Sequence, residues 1–247
     1  MSTPQLTNRA EFEAALHNYH ISAAAHDVLA TVPFVLMLAA SASGRNTIIN
    51  ELVKTGHYYF TVSDTTRPPR SNNGVLERDG VEYFFRSEDE VLKDIQSGRY
   101  IEAEIIHEQQ VSGTSIRELE KARAQNKIAI TEVDLGGTVN IARLKPDVKI
   151  FFIAPPSFAE WLRRIKGRNS PSDEEIARRM ATALAIFKAA LQDDRFIFII
   201  NDDLPKAVQA VDQAVRFGVV DAAAQSHARA ITRQLLKETE AYSKARK

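Results

Sequence analysis

Four strand-like stretches constrain this chain more than any other feature. They are Phe34–Leu38 ("FVLML"), Ile128–Gly137 ("IAITEVDLGG"), Val148–Pro156 ("VKIFFIAPP") and Phe196–Leu204 ("FIFIINDDL"). A strand with one wet face alternates apolar and polar residues. These instead contain continuous apolar runs, so each is read as a strand covered on both faces. Each is followed by a segment with helical character, and that alternation builds a parallel sheet with helices packed on it. Ligands of such sheets bind at the carboxyl ends of the strands. Polar residues gather there: the loop after Leu38, then Glu132 and Asp134, then Asn201 with Asp202 and Asp203.

The segments between these strands punctuate clearly. Residues 10–30 read as one or two helices. "YYFTVSDTTRPPR" (Tyr58–Arg70) begins as a strand and must be extended at its prolines. "SNNG" marks a turn, and "GVEYFF" (Gly80–Phe85) is expected to be a strand. "SEDEVLKDIQSG" is a helix with Ser87 as N-cap, Glu90 three residues on and Gly98 at its stop. "YIEAEIIHE" is a strand candidate, and a capped helix follows from about Ser115, with "ELEKARAQNK" as a solvated face. Trp161 and His107 are read as packing or surface residues. The helix from Asp221 to Lys247 carries Ala228, Ile231 and Leu235 on one stripe, expected to pack on the core or on a second copy, which leaves a homodimer open.

Composition excludes several classes. The 247 residues suffice for one large α/β domain or a core with inserted subdomains. Lys+Arg and Asp+Glu are 32 each, so no general affinity for nucleic acid or anionic membrane is expected. The chain has no Cys, hence no disulfide, thiolate nucleophile or Cys-type zinc site. The N-terminal stretch has no apolar h-region, and no run approaches the ~18 apolar residues of a membrane helix. A cytoplasmic protein is the expectation.

The loop after the first strand reads "AASASGRNT", Ala39–Thr47, and leads into "IINELVKTG", a short helix stopping at Gly56. Strand, small-residue loop and helix are the layout of a phosphate-binding P-loop, usually spelled G-x-x-x-x-G-K-[ST]. Here Ala39 stands for the first Gly, Arg45 for the Lys and Asn46 for the Ser/Thr, while Gly44 is kept. Ser41, Ala42 and Ser43 fill the loop and Thr47 follows it. Arg45 keeps the charge but replaces a compact ammonium with a planar fork. Ala39 and Ala42 stand where glycines allow close approach, and an Ala forced to positive φ costs on the order of 1 kcal/mol.

From "SDTTRPPR" through "DGVEYFF" to "GTS", the order and spacing of motifs resemble the guanylate kinases, P-loop enzymes that move a phosphoryl group from ATP to GMP. The resemblance runs from about Phe34 to Val215. It implies a P-loop NTPase-like three-layer α/β fold, a parallel-sheet core with an inserted GMP-binding subdomain at about 62–115 and a helical lid at about 157–185. The whole kinase-like domain would span 34–218, with a helical extension over 1–33 and a C-terminal helix over 219–247. The resemblance assigns the GMP phosphate to Arg67, Arg70 and Tyr83, and guanine to Ser63, Glu102, Thr114 and Asp134. Guanidinium forks suit phosphate oxygens, and a carboxylate facing the N1 and N2 donors of guanine rejects adenine. One extra residue separates Glu102 from Thr114, so Glu104 competes for that role, and Val111 and Ser112 stand where the family has two tyrosines. The lid arginines correspond to Arg164, Arg168 and Arg179, the family's "R-G-T" reads Arg168-Asn169-Ser170, and Asn201 and Asp202 match the stretch near adenine. Mg²⁺ accompanies ATP, with Asn46 and, through water, Glu132 as its candidates. Two rival readings accompany this one: a pseudoenzyme that binds GMP or a protein partner, and a kinase with another phosphate-bearing acceptor.

Overall fold

The computed structural model describes residues 6–72, 74–106, 108–167 and 171–246. Among these, five strands form one sheet in the order Phe196–Ile200, Lys149–Ala154, Phe34–Ala39, Ile128–Glu132, Tyr58–Phe60. The first three are parallel: Val35 lies opposite Lys149, and Ile150 opposite Phe196. Their side chains on both faces are buried, Leu36, Met37, Leu38, Phe151 and Phe152 to 0% exposure, as unbroken apolar strands require. All four sequence-read strands are present.

The chain folds as two compact units. One comprises the described residues up to 34 with 59–131 and 140–146; the other comprises 35–58, 132–139 and the described residues from 147 onward. In the first, Tyr100–Ile106 and Gln110–Ser115 pair antiparallel within a four-stranded sheet. The helix Glu88–Gln96 has the capping box read from Ser87 and Glu90, and Gly98 ends it at φ +64°. The N-terminal helices Arg9–His17 and Ala23–Thr31 belong to this unit. Phe12 joins Val91, Ile95, Tyr100 and Val111 in a small core. The Tyr19 hydroxyl donates to the Tyr100 carbonyl and accepts from its N–H. Burial pushes that phenol up to about 12, so it stays protonated and able to donate.

"GVEYFF" is a correction: only Phe84–Phe85 is strand. Gly80 sits at φ +72° in a turn closed by the Gly80 N–H on the Tyr83 carbonyl. The stretch read as a solvated helix face is another, because Glu118 within it is 0% exposed. His107 lies outside the described residues.

In the second unit the helix Ala222–Lys244 packs on Asp173–Gln192, on Phe158–Lys166 and on the strand Phe196–Ile200. Its stripe of Ala228, Thr232, Leu235 and Thr239 is buried against this same chain. The Gln225 side chain accepts from the Phe198 N–H and donates to the Phe198 carbonyl, both at 2.8 Å, on the strand that ends the sheet.

Candidate active site

The loop 40–44 joins the strand Phe34–Ala39 to the helix Arg45–Lys54. Gly44 caps that helix at φ +89°, and Ala42 also has positive φ, +66°. Ala39 ends the strand without left-handed geometry. Residues placed alternately in left-handed geometry form the concave backbone that binds anions. The first-turn N–H groups of Arg45, Asn46 and Thr47 have no acceptor within the helix. The loop is tied from outside. Trp161 Nε1 donates to the Ser41 carbonyl and Asn201 Nδ2 to the Ser43 carbonyl, both at 2.8 Å. Asn201, assigned by resemblance to the adenine side, is thus a buried strut of the loop, while Asp202 is exposed.

A cleft of about 680 Å³ opens here, lined by Ala39, Ser41, Ala42, Gly44, Asn46, Thr47, Glu132, Asp134 and Arg164 among others. Ser43 is buried instead, its hydroxyl without a partner. A Cβ on Gly44 would lie 2.0 Å from Asn201 Nδ2. Gly44→Ala is expected to cost about 2 kcal/mol of unfolding free energy from left-handed strain and crowding. Denaturant titration measures it, and a loss under ~0.5 kcal/mol would mean that Asn201 yields at no cost.

Arg45 is turned onto the strand ends. Its Nη2 donates to Glu132 at 2.5 Å, Nη1 to the carbonyls of Met37 and Val133 at 3.4 and 3.3 Å, and Nε to Asn46 Oδ1 at 3.3 Å. Asp134 Oδ1 accepts from the Gly137 N–H in the first turn of the helix Leu135–Leu144.

In this unit Arg164 donates through both terminal nitrogens to the Asn201 carbonyl at 3.2 Å and through Nε to Glu160. Arg163 and Arg164 hold the Glu160 carboxyl down at about 2. Arg179 pairs with Glu175, and its Nη1 is buried with no partner. Arg168, Asn169 and Ser170 lie outside the described residues.

The first unit gathers the residues assigned to GMP other than Asp134. Glu102 lies opposite Thr114, and its Oε1 accepts from the Thr114 N–H at 3.0 Å and hydroxyl at 2.8 Å. Glu104 lies opposite Ser112, and the pairing runs unbroken from Glu102 to Ile106, while a register irregularity falls earlier, between Tyr100 and Glu102. Arg67 is clamped fork to fork by Glu77, at 2.5 and 3.0 Å, both side chains under 10% exposed, with the guanidinium 4.8 Å from the Tyr83 ring centroid. Arg70 is exposed, and its Nη2 meets Gln110 at 3.3 Å. The Ser63 carbonyl accepts from the Phe84 N–H.

The family model for guanylate kinase matches residues 31–217. A guanylate kinase of Corynebacterium glutamicum is 37% identical over 183 residues, 73% of this chain and 93% of that one. One of Sus scrofa is 32% identical over 197 residues, 78% and 96% of the two chains. The chain belongs to the guanylate kinase family. The crystal structure of a guanylate kinase from Anaplasma phagocytophilum matches the fold with a TM-score of 0.55, at 23% identity, over 81% of this chain and 93% of that one.

Three carboxylates around these guanylate kinase motifs escaped the sequence reading. Glu77 was hidden by the hairpin between it and Arg67. Asp64, 1% exposed, accepts from Tyr100, Arg117 and Arg86 and so anchors the start of "DTTRPPR". Glu118 accepts from the Tyr59 hydroxyl and from the N–H of Val62, the residue before Ser63. The signal available for Asp64 and Glu118 was an acid inside or beside an otherwise apolar or basic motif.

Arg67 holds the Glu77 carboxyl below its ordinary 4.5. A depressed folded pKa gives stability that is present above the unfolded value and is lost as pH falls through the folded one. The melting temperature is therefore expected to drop on acidification below about pH 4.5, and less steeply in Glu77→Gln. Equal slopes in the two proteins would remove Glu77 from the acid response.

Among the described residues no cluster of three or more His, Cys, Asp or Glu could hold a metal by itself. Mg²⁺ in phosphoryl-transfer sites takes one or two protein oxygens beside the substrate phosphates. Asn46 Oδ1 and Glu132 Oε2 are such oxygens, and both already face positive charge, that of the Arg45 guanidinium.

Proposed function

We propose that this protein transfers a phosphoryl group from ATP to GMP, giving ADP and GDP, with Mg²⁺ accompanying ATP. The observation that carries the donor half is the loop: left-handed Ala42 and Gly44, first-turn N–H groups and the Arg45 cation line one cleft. The loop cradles the donor phosphates, Arg164 bears on the same cleft, and Arg179 is a further cation for the donor side; Arg168, assigned with them by resemblance, lies outside the described residues. Arg67, Arg70 and Tyr83 take the acceptor phosphate. Glu102, with Thr114, Ser63 and Asp134, reads guanine. An acceptor phosphate oxygen attacks the γ-phosphorus, the bond to the β–γ bridging oxygen breaks, and ADP leaves. The nucleophile is already anionic, so no general base is required, and positioning with charge neutralisation carries the rate. When bound, the metal would supply charge neutralisation at the donor phosphates, with Asn46 and, through water, Glu132 to hold it. The domain limits 34–218, the additions on either side and a cytoplasmic location complete this reading. No described helix is long and apolar enough to cross a membrane.

One observation favours a second reading. Arg45 is held by Glu132, Asn46 and two carbonyls, which suits a protein that binds GMP with weak or no transfer. Product analysis with GMP, ATP and Mg²⁺ separates the two. GDP formed by the wild type supports the kinase, while intact GMP binding without GDP supports the binder.

A further inference from the structure

The chain has one tryptophan, and family membership gives it no task. Trp161 is 0% exposed on the helix Phe158–Lys166, its ring edge-on to Phe158 and Phe187 at centroid distances of 6.0 and 5.5 Å. Packing alone would be met by any large apolar ring. Its N–H, however, donates at 2.8 Å to the carbonyl of Ser41, inside the loop. That carbonyl immediately precedes Ala42, the residue held at φ +66° without glycine's freedom. The same helix carries Arg164, which grips the Asn201 carbonyl while the Asn201 amide holds Ser43.

We propose that Trp161 is a positioning residue for the donor phosphates. It fixes the peptide after Ser41 so that Ala42 stays left-handed and the loop keeps its anion-binding form before ligand arrives. The physical reason is preorganisation. In an anion-binding loop the N–H groups must turn to the ligand, so the carbonyls must turn away and find donors elsewhere. Asn201 satisfies Ser43, and Trp161 satisfies Ser41. With Ala in place of glycine at position 42, the left-handed turn is uphill, and an external tie holds it. The same bond couples the arginine-bearing helix to the loop, so filling the loop changes the surroundings of the indole. This rests on the loop's taking the ATP phosphates, as proposed above.

The test uses the full chain and two replacements. Trp161→Phe keeps an aromatic ring and loses the N–H. A benzothienylalanine isostere at 161 keeps the bicyclic shape and loses only the N–H. Both are checked for wild-type melting behaviour, then titrated calorimetrically with ATP and, separately, with GMP. Losing one hydrogen bond predicts a roughly tenfold weaker ATP affinity, with GMP affinity within about twofold. In the wild type the single tryptophan's emission shifts on adding ATP and not on adding GMP. Unchanged ATP affinity in the isostere, or equal losses for ATP and GMP, overturns the proposal. A wild type that binds GMP but no ATP overturns the donor reading itself, and that failure shows before any variant is compared.

Discussion

Arg45→Ala is expected to lower kcat/KM for ATP by about a hundredfold and to leave GMP affinity unchanged. Charge-assisted hydrogen bonds are each worth roughly 1.5–3 kcal/mol, or about 10- to 150-fold in rate. Arg45 brings the loop its one formal cation, yet its guanidinium rests on Glu132 with 21% of the side chain exposed. Before it can meet a phosphate it must exchange one anion for another. That exchange is cheaper than baring a charge, because the fork stays paired throughout. Glu132→Gln separates the roles of the pair. If Glu132 restrains Arg45, the amide variant binds metal-free ATP more tightly than the wild type in calorimetry. Steady-state kinetics on Arg45→Ala decides the main question. Activity within threefold of wild type would make Arg45 a structural partner of Glu132 and not a donor ligand.

Arg70→Ala is expected to raise KM for GMP by 10- to 100-fold with KM for ATP unchanged. Arg70 is a better probe of the acceptor phosphate than Arg67. Removing Arg67 would strand the buried Glu77 carboxylate, and breaking a buried pair costs about 3–5 kcal/mol of stability, which would confound any binding loss. Arg70 is exposed and held through Gln110 at 3.3 Å, so truncating it leaves the fold intact. Calorimetry with GMP alone checks the assignment without requiring turnover. A GMP affinity within twofold of wild type would remove Arg70 from the site.

Local chemistry was legible in the sequence; long-range pairing was not. Ser87, Glu90 and Gly98 announced their helix because each acts on backbone within a few residues. The strand Lys149–Ala154 announced itself because, after Lys149, burial on both faces leaves no room for polar residues. The strand Gln110–Ser115 did not. Its polar residues and Gly113 break any apolar pattern, and its hairpin turns through Glu108 at φ +60° instead of through an Asn-Gly or Asp-Gly signal. That strand sets Glu102 against Thr114 and Glu104 against Ser112, a register that no local signal announced. The grip of Arg45 on Glu132, 87 residues away, was equally hidden. Spacing had marked both residues, but only the fold makes them partners.

Gln225 has a consequence for the molecule's behaviour in a crowded solution. The outermost strand of a sheet is a template onto which a stray extended chain can zip, and proteins that leave it bare tend toward fibres. On Phe196–Ile200 one side-chain amide already makes, at Phe198, the two bonds that an incoming backbone would make. The last strand is answered from within, so growth of the sheet by strand addition meets an occupied berth.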